Sequence, residues 1–139
     1  MFKHLLLGVS IAGLSVLCQA REPMARYGES YVGPKTMTLE LAPLADGAKA
    51  LIKITGVNHA WNGKVFQAQL RRGSNQRLEY VIAGKDGGDQ VLLEENPTRG
   101  TVLYLPGFGD ARLEFDRSAA FRVQPEHLLT EYENQSGAK

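Results

Sequence analysis

The sequence predicts an all-β fold: an antiparallel meander of seven short strands forming a small barrel or sandwich, with a short C-terminal helix. Three observations predict it. Apolar and polar residues alternate singly along several segments between Met37 and Phe115, the period-two pattern of strands with one buried face. Short runs rich in Gly, Pro, Asn and Asp separate these segments, and such residues make tight turns. The connections are all short. Short connections join antiparallel neighbours, whereas parallel pairing needs a long crossover. A neighbour-to-neighbour meander is the first expectation and a Greek key the alternative.

The first twenty residues are expected to lie outside the fold. Lys3 and His4 make a basic start, residues 5–17 are apolar or small, and Cys18-Gln19-Ala20 places small residues at a cleavage site. That is the layout of a secretory signal peptide, with an apolar run too short to span a bilayer. Lipidation at Cys18 and a buried N-terminal helix are the alternatives, the former weakened because Leu17 is not small. Cleavage leaves a chain without cysteine, so its core holds without disulfides. This fits a bacterial envelope, and the expected location is periplasmic or secreted. No membrane insertion is expected once the leader is gone. Losing Lys3 also balances acidic against basic side chains, and nothing gathers the basic ones as a nucleic-acid partner would require. About 119 mature residues make one domain with a core of useful size.

Residues 21–35 show no period and are punctuated by Pro23, Gly28, Gly33 and Pro34, so they read as an extended arm before the domain at 36–133. Tyr27, Tyr31 and Val32 are placed to tack it onto the sheet. Met37, Leu39 and Leu41 mark the first strand, ended by Pro43, which lacks a ladder donor. Asp46-Gly47 turns into a second strand with Ala48, Ala50, Ile52 and Ile54 on one face. A loop, residues 56–63, leads to a third strand with Phe66, Ala68 and Leu70. Leu78, Tyr80 and Ile82 mark the fourth, Val91 and Leu93 a short fifth, residues 102–105 the sixth, and Leu113 and Phe115 the seventh. Pro125 and Glu126 then suit a helix N-terminus, and Leu128, Leu129 and Tyr132 fall on one helical face. The helix is expected on the mouth of the sheet structure or over an open edge. Residues 134–139 are expected to be a disordered tail.

A strict up-and-down meander puts alternate loops at the same end. One end then collects His59, Trp61, Asn62, Lys85, Asp86, Asp89, Phe108 and Asp110. Loops on a rigid sheet are where binding residues concentrate. Trp61 is the single tryptophan, and Phe108 stands between two glycines. Each is read either as a contact anchor or as a plug closing the core. His59, Trp61, Asn62, Asp86, Phe108 and Asp110 are therefore the candidate binding residues.

No catalytic or metal-binding pattern stands out in the sequence. The two histidines beyond the leader, His59 and His127, form no zinc motif, and Asp86-Gly87-Gly88-Asp89 lacks the alternating ligands of a calcium loop. No serine sits in a nucleophile elbow. Glu94 and Glu95 are adjacent and so face opposite ways on a strand. The expectation is a non-enzymatic exported domain without cofactor or metal, binding a protein partner through one loop end, for instance as an inhibitor or immunity factor of an envelope hydrolase. A small-ligand or glycan-binding barrel with Trp61 stacked on the ligand is the alternative, and a hydrolase using His59 comes last.

Overall fold

The computed structural model describes residues 22–135. The leader, Cys18 and the last four residues of the expected tail lie outside the described residues. The chain is an eight-stranded antiparallel barrel in which every strand pairs with its sequence neighbours and the first pairs with the last. The strands are β1 (Glu29–Val32), β2 (Thr38–Pro43), β3 (Lys49–Thr55), β4 (Val65–Arg72), β5 (Leu78–Ala83), β6 (Asp89–Asn96), β7 (Gly100–Leu105) and β8 (Gly109–Phe115). A short 3-10 turn (Ser74–Gln76) lies between β4 and β5, and helices α1 (Arg117–Ala120) and α2 (Pro125–Gln135) follow β8.

The all-β meander expected from the alternation is what forms, as a barrel and not a sandwich. The strand count differs by one. The segment read as an arm contains β1, which pairs with β2 through Tyr31↔Leu39 and with β8 through Tyr31↔Phe115. Four residues are too few to show a period, so the pairing is imposed by the two edges that β1 joins. Its reward is closure, which leaves a sheet no open side. Tyr31 points inward and joins the core.

The inward residues form one continuous cluster that includes Leu39, Leu41, Ile52, Ile54, Leu92, Leu93 and Leu103, all fully buried. An eight-stranded barrel has room inside for side chains and little more. Register follows the alternation: Leu39↔Ile54 and Leu41↔Ile52 meet across β2 and β3, and Ile52↔Phe66 across β3 and β4. Strand β2 ends at Pro43, as its missing N–H donor predicts, and the Pro43 carbonyl accepts from the Ala25 N–H.

The outer face of β2 to β4 is also apolar, and α2 covers it. Leu128 and Leu129 pack on Ala42, Leu51 and Val65. Helix α2 thus lies against the wall of the barrel. It sits neither on the mouth nor over an edge, because closure leaves no edge to cover. It also runs to Gln135, two residues into the expected tail, where the Gln135 amide donates to the Val65 carbonyl at 2.6 Å and accepts the Val65 N–H at 2.8 Å. Trimming Leu128 to Ala is expected to cost about 2 to 4 kcal/mol, the usual range for a buried leucine, measured by denaturant unfolding. Among the described residues no helix is long and apolar enough to cross a membrane.

Candidate functional site

The meander brings the β3–β4, β5–β6 and β7–β8 loops to one end of the barrel. His59 in the first reaches Pro106 in the third, its Nε2 lying 2.9 Å from the Pro106 carbonyl. The backbone N–H of Trp61 donates to His59 Nδ1 at 3.0 Å, so Nδ1 is an acceptor and Nε2 carries the proton that Pro106 accepts. Both ring nitrogens are engaged in holding the loops together. Replacing His59 with Ala is expected to cost about 1 to 3 kcal/mol, the net worth of two hydrogen bonds of this kind, and to change the Trp61 emission, as followed by fluorescence-detected unfolding.

Trp61 closes the end of the core. Its ring is partly buried against the core cluster, 4.8 Å between centroids from Phe66, with His59 edge-on at 5.4 Å. The plug is therefore the role its packing supports. Asn62 is a fastener as well: its Oδ1 accepts from the Val57 N–H at 3.2 Å, while the Gly63 N–H donates to the Ile54 carbonyl. Asp86, Phe108 and Asp110 face solvent. Phe108 is 49% exposed, carried on a turn between Gly107 and Gly109, both at positive φ. The six residues singled out from the sequence thus gather at one pole, three holding the loops in place and three presented outward.

Two adjoining grooves open at this pole. One, of about 330 Å³, has Trp61, Lys85, Asp86, Asp89, Gln90 and Pro106 among its walls. The other, of about 480 Å³, lies between β6 and β7 and includes Val91, Glu94, Tyr104, Leu105 and Asp110. Its origin is a bulge. Tyr80 pairs with Leu93 and the next residue, Val81, with Val91, so Leu92 has no partner on β5. Bulges twist a strand away from its neighbour. On the other side of β6, pairing with β7 stops at Leu93↔Leu103, although β6 begins at Asp89 and β7 continues to Leu105. The alternating pattern hides this, but three successive apolar residues, Val91-Leu92-Leu93, mark the place where it breaks.

No family model matches the chain, and no curated protein or solved structure is significantly similar to it.

The opposite pole holds a second polar constellation that the sequence did not disclose. The Tyr31 hydroxyl lies 2.9 Å from Glu29 and 3.1 Å from Glu95, and the Tyr80 hydroxyl lies 3.5 Å from Glu95. Adjacent Glu94 points outward to the Tyr104 hydroxyl at 3.2 Å, so the two carboxylates do face opposite ways. Burial, then the negative charge of Glu29, raises the Glu95 carboxyl above the ordinary carboxylate value, against weaker lowering by the two tyrosine hydroxyls. Burial followed by the neighbouring carboxylates also raises both tyrosines, which stay protonated at physiological pH.

Because the folded state holds the Glu95 proton more tightly than the unfolded chain, this carboxyl's contribution is fully present below its unfolded pKa. It is lost as pH rises through the folded value. Glu95→Gln, neutral throughout, is therefore expected to raise the unfolding midpoint relative to the parent more at about pH 7 than at about pH 4, the latter near the unperturbed carboxyl pKa. A difference independent of pH in matched thermal melts would contradict the assignment.

No three His, Cys, Asp or Glu side chains among the described residues are arranged to hold a metal ion.

Proposed function

We propose that the chain is an exported binding domain that engages a protein partner through the pole carrying Trp61, Asp86, Phe108 and Asp110. The observation that supports this most is the convergence of three loops there. Structural fasteners hold a half-exposed aromatic beside two grooves. Interfaces are anchored by aromatics that bury on contact, and anchors work best on surfaces already organised. Phe108 meets both conditions. The reading of export rests on the leader-like first twenty residues. An inhibitor or immunity factor for an envelope hydrolase is the form of partner binding this reading favours, since pre-formed loops suit insertion into a cleft.

His59 is not available as a general base while both its nitrogens hold the loops, which argues against hydrolysis at this residue. The small-ligand reading has one observation of its own, the Trp61 ring in the smaller groove with Asp86, Asp89 and Gln90. A ligand there would shift tryptophan emission, whereas a protein seated on Phe108 need not.

The test is to immobilise the domain, capture its partner from envelope extract, and repeat with Phe108→Ala. The parent should retain a specific protein, and loss of an anchor should weaken capture about tenfold or more. Equal retention by the variant would refute the reading.

A further inference from the structure

Strands β6 and β7 part company at this pole. Their pairing ends at Leu93↔Leu103, yet β6 remains paired to β5 out to Asp89 and β7 to β8 out to Leu105. Two stretches, Asp89 to Leu92 with the bulge at Leu92, and Tyr104 to Leu105, therefore face one another across the groove without a shared ladder. Backbone N–H and C=O groups on an unpaired strand edge are ready to pair with another extended chain.

The charged side chains lining this groove are acidic, while the positive charge of Arg99 is near enough to act on Tyr104 from outside it. Glu94 and Asp110 line the groove, and no basic residue does. Glu94 is only 8% exposed and is held by the Tyr104 hydroxyl and the Asn96 amide, with no basic side chain within ion-pair distance among the described residues. A carboxylate removed from water is costly unless a cation comes to it. Asp110 lies opposite Tyr104 in the β7–β8 ladder, so both carboxylates border the same hydroxyl.

We infer that the β6–β7 seam accepts an extended, lysine- or arginine-bearing segment of the partner as an added strand. The segment's backbone pairs along the free stretches of β6 and β7, and one of its cationic side chains reaches Glu94 and Asp110. Strand addition takes affinity from main-chain hydrogen bonds and specificity from alternate side chains, and here the specificity is electrostatic. This inference rests on the reading of this pole as the binding surface and names how a partner seats there.

The full chain, labelled with nitrogen-15, is titrated with a synthetic peptide of alternating lysine and valine. Two control peptides accompany it: one with glutamate in place of lysine, and one N-methylated at alternate residues, which removes backbone donors. The lysine peptide should bind saturably, moving the amide signals of Val91, Leu92, Tyr104 and Leu105 first. The glutamate and N-methylated peptides should each bind about tenfold more weakly or worse, as expected for loss of charge-assisted or main-chain hydrogen bonds. Asp110→Asn, at an exposed position, and the near-isosteric Glu94→Gln should each weaken the lysine peptide at least several-fold without altering the fold. Equal binding of the N-methylated peptide would overturn strand addition, and equal binding of the glutamate peptide would overturn the charge preference. Shifts confined to other residues would overturn the seam itself. If Phe108→Ala abolishes partner capture while the lysine peptide fails to bind, the pole survives as the interface and the strand-addition mode does not.

Discussion

A chain begun at Thr36, where the alternating pattern starts, will not fold into a stable monomer. Residues 22–35 look dispensable in the sequence, but they supply β1, the strand that joins β2 to β8. Removing them leaves four residues of β2 and two of β8 without their ladder partners, and open strand edges invite association. It also removes Tyr31, 5% exposed, from the barrel core, and Met24, bridged to Leu44, from the separate cluster under α2. Loss of one large aromatic side chain alone costs about 3 to 5 kcal/mol. A domain has about 5 to 15 kcal/mol in total. The truncated chain should show a broad or absent melting transition by circular dichroism and elute as aggregate on gel filtration. A soluble monomer with a sharp transition near that of the parent would show that β1 is not needed to close the barrel.

Gly56→Ala should be the most damaging change at the loop pole. Gly56 sits at φ of 75°, where a side chain is strained, and a Cβ there would collide with the Thr36 carbonyl oxygen. Thr36 Oγ1 in turn donates to the Gly56 carbonyl at 2.9 Å, so the two backbones are locked in close approach. Strain and collision together are expected to cost about 2 to 4 kcal/mol, and the Trp61 loop that begins here should shift, changing the emission of Trp61. Gly47 is the control: its φ of 70° is similar, but a Cβ would meet nothing within 4 Å. Gly47→Ala should therefore cost only about 1 kcal/mol, the conformational part alone. Equal losses for the two variants in denaturant unfolding would mean that the contact with Thr36 has no energetic weight.

Much of this fold was legible because one face of nearly every strand is buried. Alternation at Leu39, Leu41, Ile52, Ile54, Ala68, Tyr80 and Leu113 marks an inner face that water would penalise, and the register honours it. The gathering of His59, Trp61, Phe108 and Asp110 at one pole followed from counting loops, since each short connection reverses direction. What the sequence left hidden depends on contacts distant along the chain. Strand β1 has no local signature, because its place is set by partners on β2 and β8. Tyr31 and Glu95 meet across 64 positions of chain, and no spacing rule links them. The roles of the loop residues were also out of reach. His59, Trp61 and Asn62 bear the residue types of a binding site, yet their atoms are spent on one another, and only the coordinates separate fasteners from presented groups. The seam was nearly legible: a run of three apolar residues in an otherwise alternating strand is the mark of a bulge.

The most direct test is to titrate the nitrogen-15-labelled domain with its captured partner and to map the amide signals that move. Shifts should concentrate in residues 57–62, 84–91 and 104–110, the loops and strand ends of the Trp61 pole. Shifts concentrated instead around Glu29, Arg72 and Thr101, at the other mouth of the barrel, would place the working surface at the wrong end for everything proposed above.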